Sequence, residues 1–396
     1  MKIGYFIGCF PYKDSLDDSG YFKRYIHAGQ EVVAYYLARG MARRGHQIDC
    51  FTTSIDSKDS LESYDNLNIH RYGTQFRIAT GTISLKLLFK PLQHEVEIVH
   101  AHSPNPHSDL AAWWYSIRMK RPLVITYHGD LLEGFGGSLR WASLTFYNKV
   151  LLPIFLSHAK LIILPSEHYI DESRYLRKYQ HKITVIPNGV NIQDMEIPCS
   201  KGESRKQLGL PADASVLLFV GKLSPYKGPD VLIRSLPLII ERVPHVKLVI
   251  AGSGFMQKDL EGLVSQLGIE EHVRLAGFVE ESVKLLYYKA ADVFVLPSTQ
   301  TSEVFPVVLL EASAARLPMV VSDLQTFKCI IEDGYNGIVT QRGNVEGLAR
   351  AISNLLQNPD IRSRMAENAR KHVERFSWDG IAEESENVYQ RIVGYS

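Results

Sequence analysis

Two glutamates, Glu303 and Glu311, stand eight residues apart in the stretch 297–323, PSTQTSEVFPVVLLEASAARLPMVVSD. The first falls in a loop and the second in the helix-like run VVLLEASAAR, about two turns on. Ionised carboxylates accept hydrogen bonds, each with room for two donors. Two of them at different heights on one side of a helix can hold the vicinal hydroxyls of a sugar or a ribose. Two glutamates on a solvated helix face are the commonplace alternative. Two cations, Lys222 and Lys227, flank a loop between a strand ending at Gly221 and a helix opening at Pro229. Ammonium groups beside the free amides of a helix start can neutralise a diphosphate, whereas solvated surface lysines need no ligand. Histidines close two more strand-like runs, His102 in EIVHAH and His128 in PLVITYHGD. Ligands of open parallel sheets sit outside such strand ends, but a lone histidine there is more often structural, which weighs against His102.

The elements that must position these residues repeat strand, helix, strand. Residues 2–8 read as a buried strand. From Gly29, Val33, Leu37 and Met41 recur at helical spacing, and QIDCFTT is the next strand. This is the βαβ unit of a doubly wound sheet, with Gly29 at a helix start able to receive a phosphate. A second series begins at SVLLFVGK. It runs through VKLVIAGSGF, VRLAGFV and DVFVLP, with PMVV after the glutamates. Gly252 and Gly254 begin a dinucleotide fingerprint, but Gln257 stands where its third glycine belongs, so the pattern gives NAD binding only weak support. At 396 residues, two domains are expected. Their bounds read as 1–192 and 205–375, joined by a polar linker over 193–210 that enters a short helix, with a final helix over 376–396. A net charge of +1 gives no global field for nucleic acid. Cys9, Cys50, Cys199 and Cys329 are scattered, as in a reducing cytosol. The opening MKIGYFIGCF reads as a strand and not a signal peptide, and no run is long and apolar enough to span a bilayer.

The glutamates with seven residues between them, Phe305, and Leu310-Glu311-Ala312 resemble the double-glutamate signature of the retaining glycosyltransferases of the GT-B fold. The similar branch comprises bacterial and archaeal mannosyl- and glucosyltransferases that resemble glycogen synthase. Tyr127-His128-Gly129, Ser166-Glu167, Pro187-Asn188-Gly189-Val190-Asn191, Lys227, EDGYNGIVT and FSWDGIAEESENVYQRIV match the same pattern. The likeness spans nearly the whole chain and is strongest over 221–340. It implies an α/β protein of two facing Rossmann-like domains with an interdomain cleft, and a last helix crossing back to the first domain. It implies transfer of a hexosyl group from a nucleotide-diphosphate sugar to an acceptor hydroxyl, with retained configuration. The acceptor would be a sugar or other small molecule, a glycan or a lipid-linked glycan. By the same likeness His128 lies near the donor sugar, Glu303 holds the hexose and Glu311 the ribose. Phe278-Val279 meets the base, Gly252 and Phe305 lie on the donor side, and Lys222 and Lys227 stabilise the leaving diphosphate.

The departures concern the donor. Lys222 stands for a frequent arginine, and Lys cannot form the bidentate fork. Ala28-Gly29 stands for a glycine pair, Pro306 for a glycine with an N–H, and Gln325-Thr326 for another pair. Arg316 and Cys329 replace a common glycine and glutamate. No Asp-x-Asp occurs, so no metal at the diphosphate and no cofactor beyond the donor are expected. A glycosidase pair needs carboxylates on opposite sides of the scissile bond, which one loop-helix segment serves poorly. An epimerase, a phosphorylase and a non-enzymatic nucleotide-sugar-binding module are the competing readings. The stretch 71–92 mixes Arg71, Arg77, Lys86 and Lys90 with apolar residues and has no acid. Such a segment can lie on an anionic membrane or pack as a basic loop and helix on the sheet. A cytoplasmic protein, peripheral at the inner membrane face, is the matching expectation.

Overall fold

The computed structural model of the chain describes residues 1–12, 29–78, 81–131, 138–300 and 303–394. Ala28, which stands for the first glycine of a pair, lies outside them. The chain divides into two compact units, Met1–Asn188 with Trp378–Ser396, and Gly189–Ser377.

The first unit carries β1 (Lys2–Phe6), β2 (Gln47–Thr53), β3 (Ser60–Tyr64), β4 (Leu67–Tyr72), the hairpin β5 (Phe76–Ile78) and β6 (Gly81–Ile83), β7 (Ile98–Ser103), β8 (Leu123–Tyr127), β9 (Leu161–Leu164) and β10 (Ile183–Val185). Its main sheet has the order β10-β9-β8-β7-β1-β2-β4-β3. All neighbours are parallel except the edge pair β3 and β4. The helix Gly29–Arg43 buries the expected stripe of Val33, Leu37 and Met41, widened by Ala34 and Ala38. The last helix, Trp378–Val393, packs on it. Trp378 stacks on Tyr36, Gly40 leaves room for Ala382, and Glu386 takes Arg44 and His46. The returning helix is therefore held by apolar packing along its length and by a charged clamp at its middle.

The second unit carries β11 (Ser215–Val220), β12 (Val246–Ala251), β13 (Val273–Gly277), β14 (Val293–Leu296), β15 (Met319–Ser322) and β16 (Gly337–Thr340). The order β13-β12-β11-β14-β15-β16 is parallel throughout. Near-continuous apolar strands such as SVLLFV and MVVS suit a sheet covered on both faces. Chain direction along the sheet reverses between β11 and β14. Residues 193–210 contribute Met195 and Leu210 to this unit's core. Their helix Lys201–Leu208 starts in a capping box of Ser200 and Glu203. Buried Arg205 reaches Asp292 at 2.8 Å, so this polar stretch is anchored structure.

The basic stretch 71–92 is not one amphipathic helix. It forms the end of β4, the hairpin and two short helical turns. Arg71 is fully buried. It pairs with Glu62 and donates to the Phe10 and Pro11 carbonyls at 2.7 and 2.9 Å. Lys86 meets Asp59 at 2.8 Å. The acids that the stretch lacks come from β3 and the residues before it, which makes Arg71 a structural residue and not a surface charge. Among the described residues no helix is long and apolar enough to cross a membrane.

Candidate functional site

In the second unit the loops after β11 and β14 meet where the strand order reverses, the place at which open α/β sheets bind ligands. The turn Pro225–Lys227 is bonded to the other loop, because Thr299 donates its N–H to the Tyr226 carbonyl at 2.7 Å. Gly228, at φ 66°, then opens the helix Pro229–Ile240. A Cβ on Gly228 would sit 2.2 Å from the Pro297 carbonyl oxygen, so only glycine allows this approach. The consequence is a contact between the two predicted charges. Lys227 Nζ donates to Glu303 Oε2 at 2.8 Å, and both residues are about nine-tenths buried. The loop carrying Glu303 is pinned from behind, where the Thr326 hydroxyl donates to the Glu303 carbonyl at 2.6 Å. Thr326 thus serves a positioning role at a place where the resemblance leads one to expect glycine.

Glu311, on the helix Val307–Ala314, accepts from Lys284 Nζ at 2.9 Å and from the Tyr288 hydroxyl at 2.7 Å. Burial works against the Lys284 ammonium, but Glu311 and Glu281 outweigh it and hold its pKa above the usual lysine value. Burial, then Glu311, pushes the Tyr288 hydroxyl well up. Sequence reasoning misses Lys284 and Tyr288. Their one-turn spacing on the helix Glu281–Ala290 is the available signal.

The remaining donor-side residues separate. Lys222 is exposed, unlike Lys227. Gly252 follows β12, and a Cβ there would lie 1.8 Å from the Gly221 carbonyl oxygen, so it packs two strand ends together. Phe278 is largely exposed, while Val279 leans on the core. Phe305, expected on the donor side, presents little surface. It is buried in the core, edge-on to Phe376 at 5.7 Å. Arg316 has φ 58°, a left-handed backbone that explains why a glycine is common there.

In the first unit, His102 at the end of β7 and His128 just after β8 lie together. His102 Nδ1 and His128 Nε2 are 3.1 Å apart, with the rings stacked. His100 stacks on His102 from the other side and contacts Thr126 at 2.7 Å and Tyr389 at 2.5 Å. Burial pushes His128 down to about 3, and burial with the neighbouring His128 does the same to His100. His102 is lowered by burial and by both neighbours. The stack is therefore neutral at physiological pH, and His128, its one partly exposed ring, can exchange hydrogen bonds with a sugar without adding charge. The next residues are clamped. Asp130 accepts from Tyr127 at 2.8 Å, from Ser173 at 2.7 Å and from the Arg174 N–H at 3.1 Å. Gly29 opens its helix, and among the described residues a Cβ there would meet nothing within 4 Å, so no described neighbour requires glycine.

Comparisons with known proteins agree with this arrangement. Residues 200–372 match the family model described as Glycosyl transferases group 1, and residues 27–194 match Glycosyltransferase Family 4. An uncharacterized glycosyltransferase of Methanocaldococcus jannaschii is 32% identical over 92% of this chain and 95% of its own. The phosphatidyl-myo-inositol mannosyltransferase of Mycobacterium leprae is 31% identical over 93% and 94%. The crystal structure of Anabaena HepE in complex with UDP-glucose superposes with a TM-score of 0.74 at 19% identity, over 99% of this chain and 100% of that one, a likeness of fold. With two parallel-sheet units of the GT-B type and relatives above 30% identity along nearly their whole length, this chain belongs to the group 1 glycosyltransferases.

Proposed function

We propose that this glycosyltransferase moves a hexosyl group from a nucleotide-diphosphate sugar to an acceptor hydroxyl with retention of configuration. The observation that carries the reading is the buried Lys227–Glu303 pair at the sheet's reversal point. Lys227 anchors the diphosphate and Lys222, from the same loop, meets its outer charge. Glu303 turns its carboxylate to the hexose hydroxyls, while Glu311, oriented by Lys284 and Tyr288, takes the ribose. The bond from the anomeric carbon to the diphosphate oxygen breaks as the acceptor oxygen bonds to the same face. The acceptor's proton passes to the departing phosphate, for which no side-chain base is needed. Fixed cations and helix amides supply the charge stabilisation. Neutral His128 donates to a sugar oxygen.

The acceptor in this reading is a sugar, a glycan or a lipid-linked glycan. The name of the Mycobacterium leprae relative supports the lipid class for that protein. The absence of Asp-x-Asp from the sequence supports chemistry without a metal at the diphosphate. The test is a panel of nucleotide sugars in a thermal-shift assay, followed by NMR of the product. A donor at about 100 times its Kd adds roughly 2.7 kcal/mol of stability, and the product keeps the donor's anomeric configuration. An inverted product overturns the retaining assignment. Turnover persists after dialysis against EDTA; loss restored only by Mn²⁺ or Mg²⁺ overturns the metal-free reading.

A further inference from the structure

Three residues of the first unit, outside the site described above, converge on one side of its sheet. Asp49 projects from the middle of β2 and His70 from the adjacent β4, while His94 closes the turn Lys90–Gln93. Their ligating atoms all lie within 4.8 Å of one another. His70 Nε2 is 2.9 Å from Asp49 Oδ1, and the His70 and His94 ring centroids are 4.3 Å apart with the planes tilted by 55°. We propose that Asp49, His70 and His94 bind one divalent cation of the Zn²⁺ class through two imidazole nitrogens and one carboxylate oxygen.

The donor set carries the choice of ion. Two imidazoles with one carboxylate suit Zn²⁺ and its neighbours, whereas Mg²⁺ and Ca²⁺ prefer all-oxygen shells. Bond lengths of about 2.0–2.2 Å put tetrahedral ligand atoms roughly 3.4 Å apart. The His70–Asp49 contact must open by about half an ångström, and the pairs to His94, within 4.8 Å, must close by at most about 1.4 Å. The surroundings already hold the ligands. Asn68 Nδ2 donates to Asp49 Oδ1 at 3.3 Å, the Tyr115 hydroxyl donates to the His94 carbonyl, and Phe51 packs against both imidazoles. Such outer partners fix ligand orientation. Asp49 and His70 expose only 9% and 12% of their side chains, and His94 is partly exposed. Three protein ligands leave a fourth position for water. A bound ion would tie the turn before β7 to the two strands beneath it. The ligands must shed their protons, so binding tightens as pH rises.

The full chain, stripped with EDTA, is titrated with Co²⁺ and read by visible absorption, then with Zn²⁺ by calorimetry and thermal melting. One Co²⁺ per chain with a tetrahedral d–d spectrum, displaced by Zn²⁺, is expected, along with a higher melting temperature. His94→Gln lowers the affinity at least tenfold. His94→Cys restores it and adds a thiolate-to-cobalt charge-transfer band, which also carries the test should His94→Gln not fold. No uptake by the wild type, unchanged uptake in both His94→Gln and Asp49→Asn, or no new band in His94→Cys overturns the assignment and leaves the trio a metal-free hydrogen-bonded cluster.

Discussion

The two units set out their chemistry in opposite electrical styles. In the first, His102 and His128 at strand ends stack with His100 of β7 as neutral rings, lowered chiefly by burial. At the strand ends of the second, charge is kept but paired, Lys227 with Glu303 and Lys284 with Glu311. The same sheet geometry thus yields one site that exchanges hydrogen bonds without charge and another that can replace internal ion partners with a charged ligand. The difference suits the proposed roles, in which His128 gives the donor sugar a hydrogen bond without charge and the lysines meet its anionic diphosphate.

Breaking the charged side should have the largest effect. Removing one partner of a buried pair leaves its mate uncompensated, at a cost of about 3–5 kcal/mol. Lys227→Ala is therefore expected to lower the melting temperature sharply and to abolish both nucleoside-diphosphate binding and turnover. Adding Glu303→Gln to it should recover part of the stability and none of the activity. A melting temperature equal to that of the wild type would show that the pair is not buried in solution. Next in size is Tyr288→Phe, which removes one donor from Glu311. A loss of about 1–2 kcal/mol in affinity for bare nucleoside diphosphate is expected by calorimetry. Unchanged affinity would separate Glu311 from the nucleotide.

The charged side is also the more legible in the sequence. Glu303, Glu311 and Lys227 can be located because strand-loop-helix order fixes where a residue falls on a parallel sheet. Their pairing is not legible. The Lys227–Glu303 contact spans 76 residues and depends on β11 lying beside β14, which the order of strands along the chain does not reveal. Phe305 reads as a ligand contact because its neighbours do; whether a ring faces the core is decided by Phe376, far along the chain. The absence of acids in 71–92 looks like a surface property, yet Glu62 and Asp59 lie just upstream. Arg316 runs the other way. Its departure from glycine is visible at once, and its left-handed backbone supplies the reason.

The neutral side is sharpened by pH. His100 and His128 titrate near 3 when folded, against about 6.5 when unfolded. Their folded values are depressed, so the stability they contribute is present above the unfolded value and is lost as pH falls from about 6.5 toward 3. Asp109 opposes this trend. Its carboxyl, raised to about 7 by burial, favours the folded state at low pH and loses that contribution as pH rises from its unfolded value through 7. Melting curves should show the wild type weakening below pH 6.5, and His100→Gln should flatten the profile. An identical profile in the variant would place the acid sensitivity elsewhere. The smallest effect is expected at Arg316→Gly. Relief of a left-handed residue is offset by loss of the exposed Glu367 pair. The net change should fall within about 1 kcal/mol, with turnover unchanged; a large loss of stability would mean that the Glu367 pair dominates.

The division of labour between the glutamates is tested most directly by Glu303→Gln, measured in parallel by turnover and by calorimetry with bare nucleoside diphosphate. The substitution keeps the shape and the contact with Lys227 while removing the charge. Under the proposal that Glu303 acts on the hexose, transfer should fall strongly while nucleotide affinity stays near that of the wild type. A loss of nucleotide affinity as large as that in Glu311→Gln, or turnover left intact, would contradict the account.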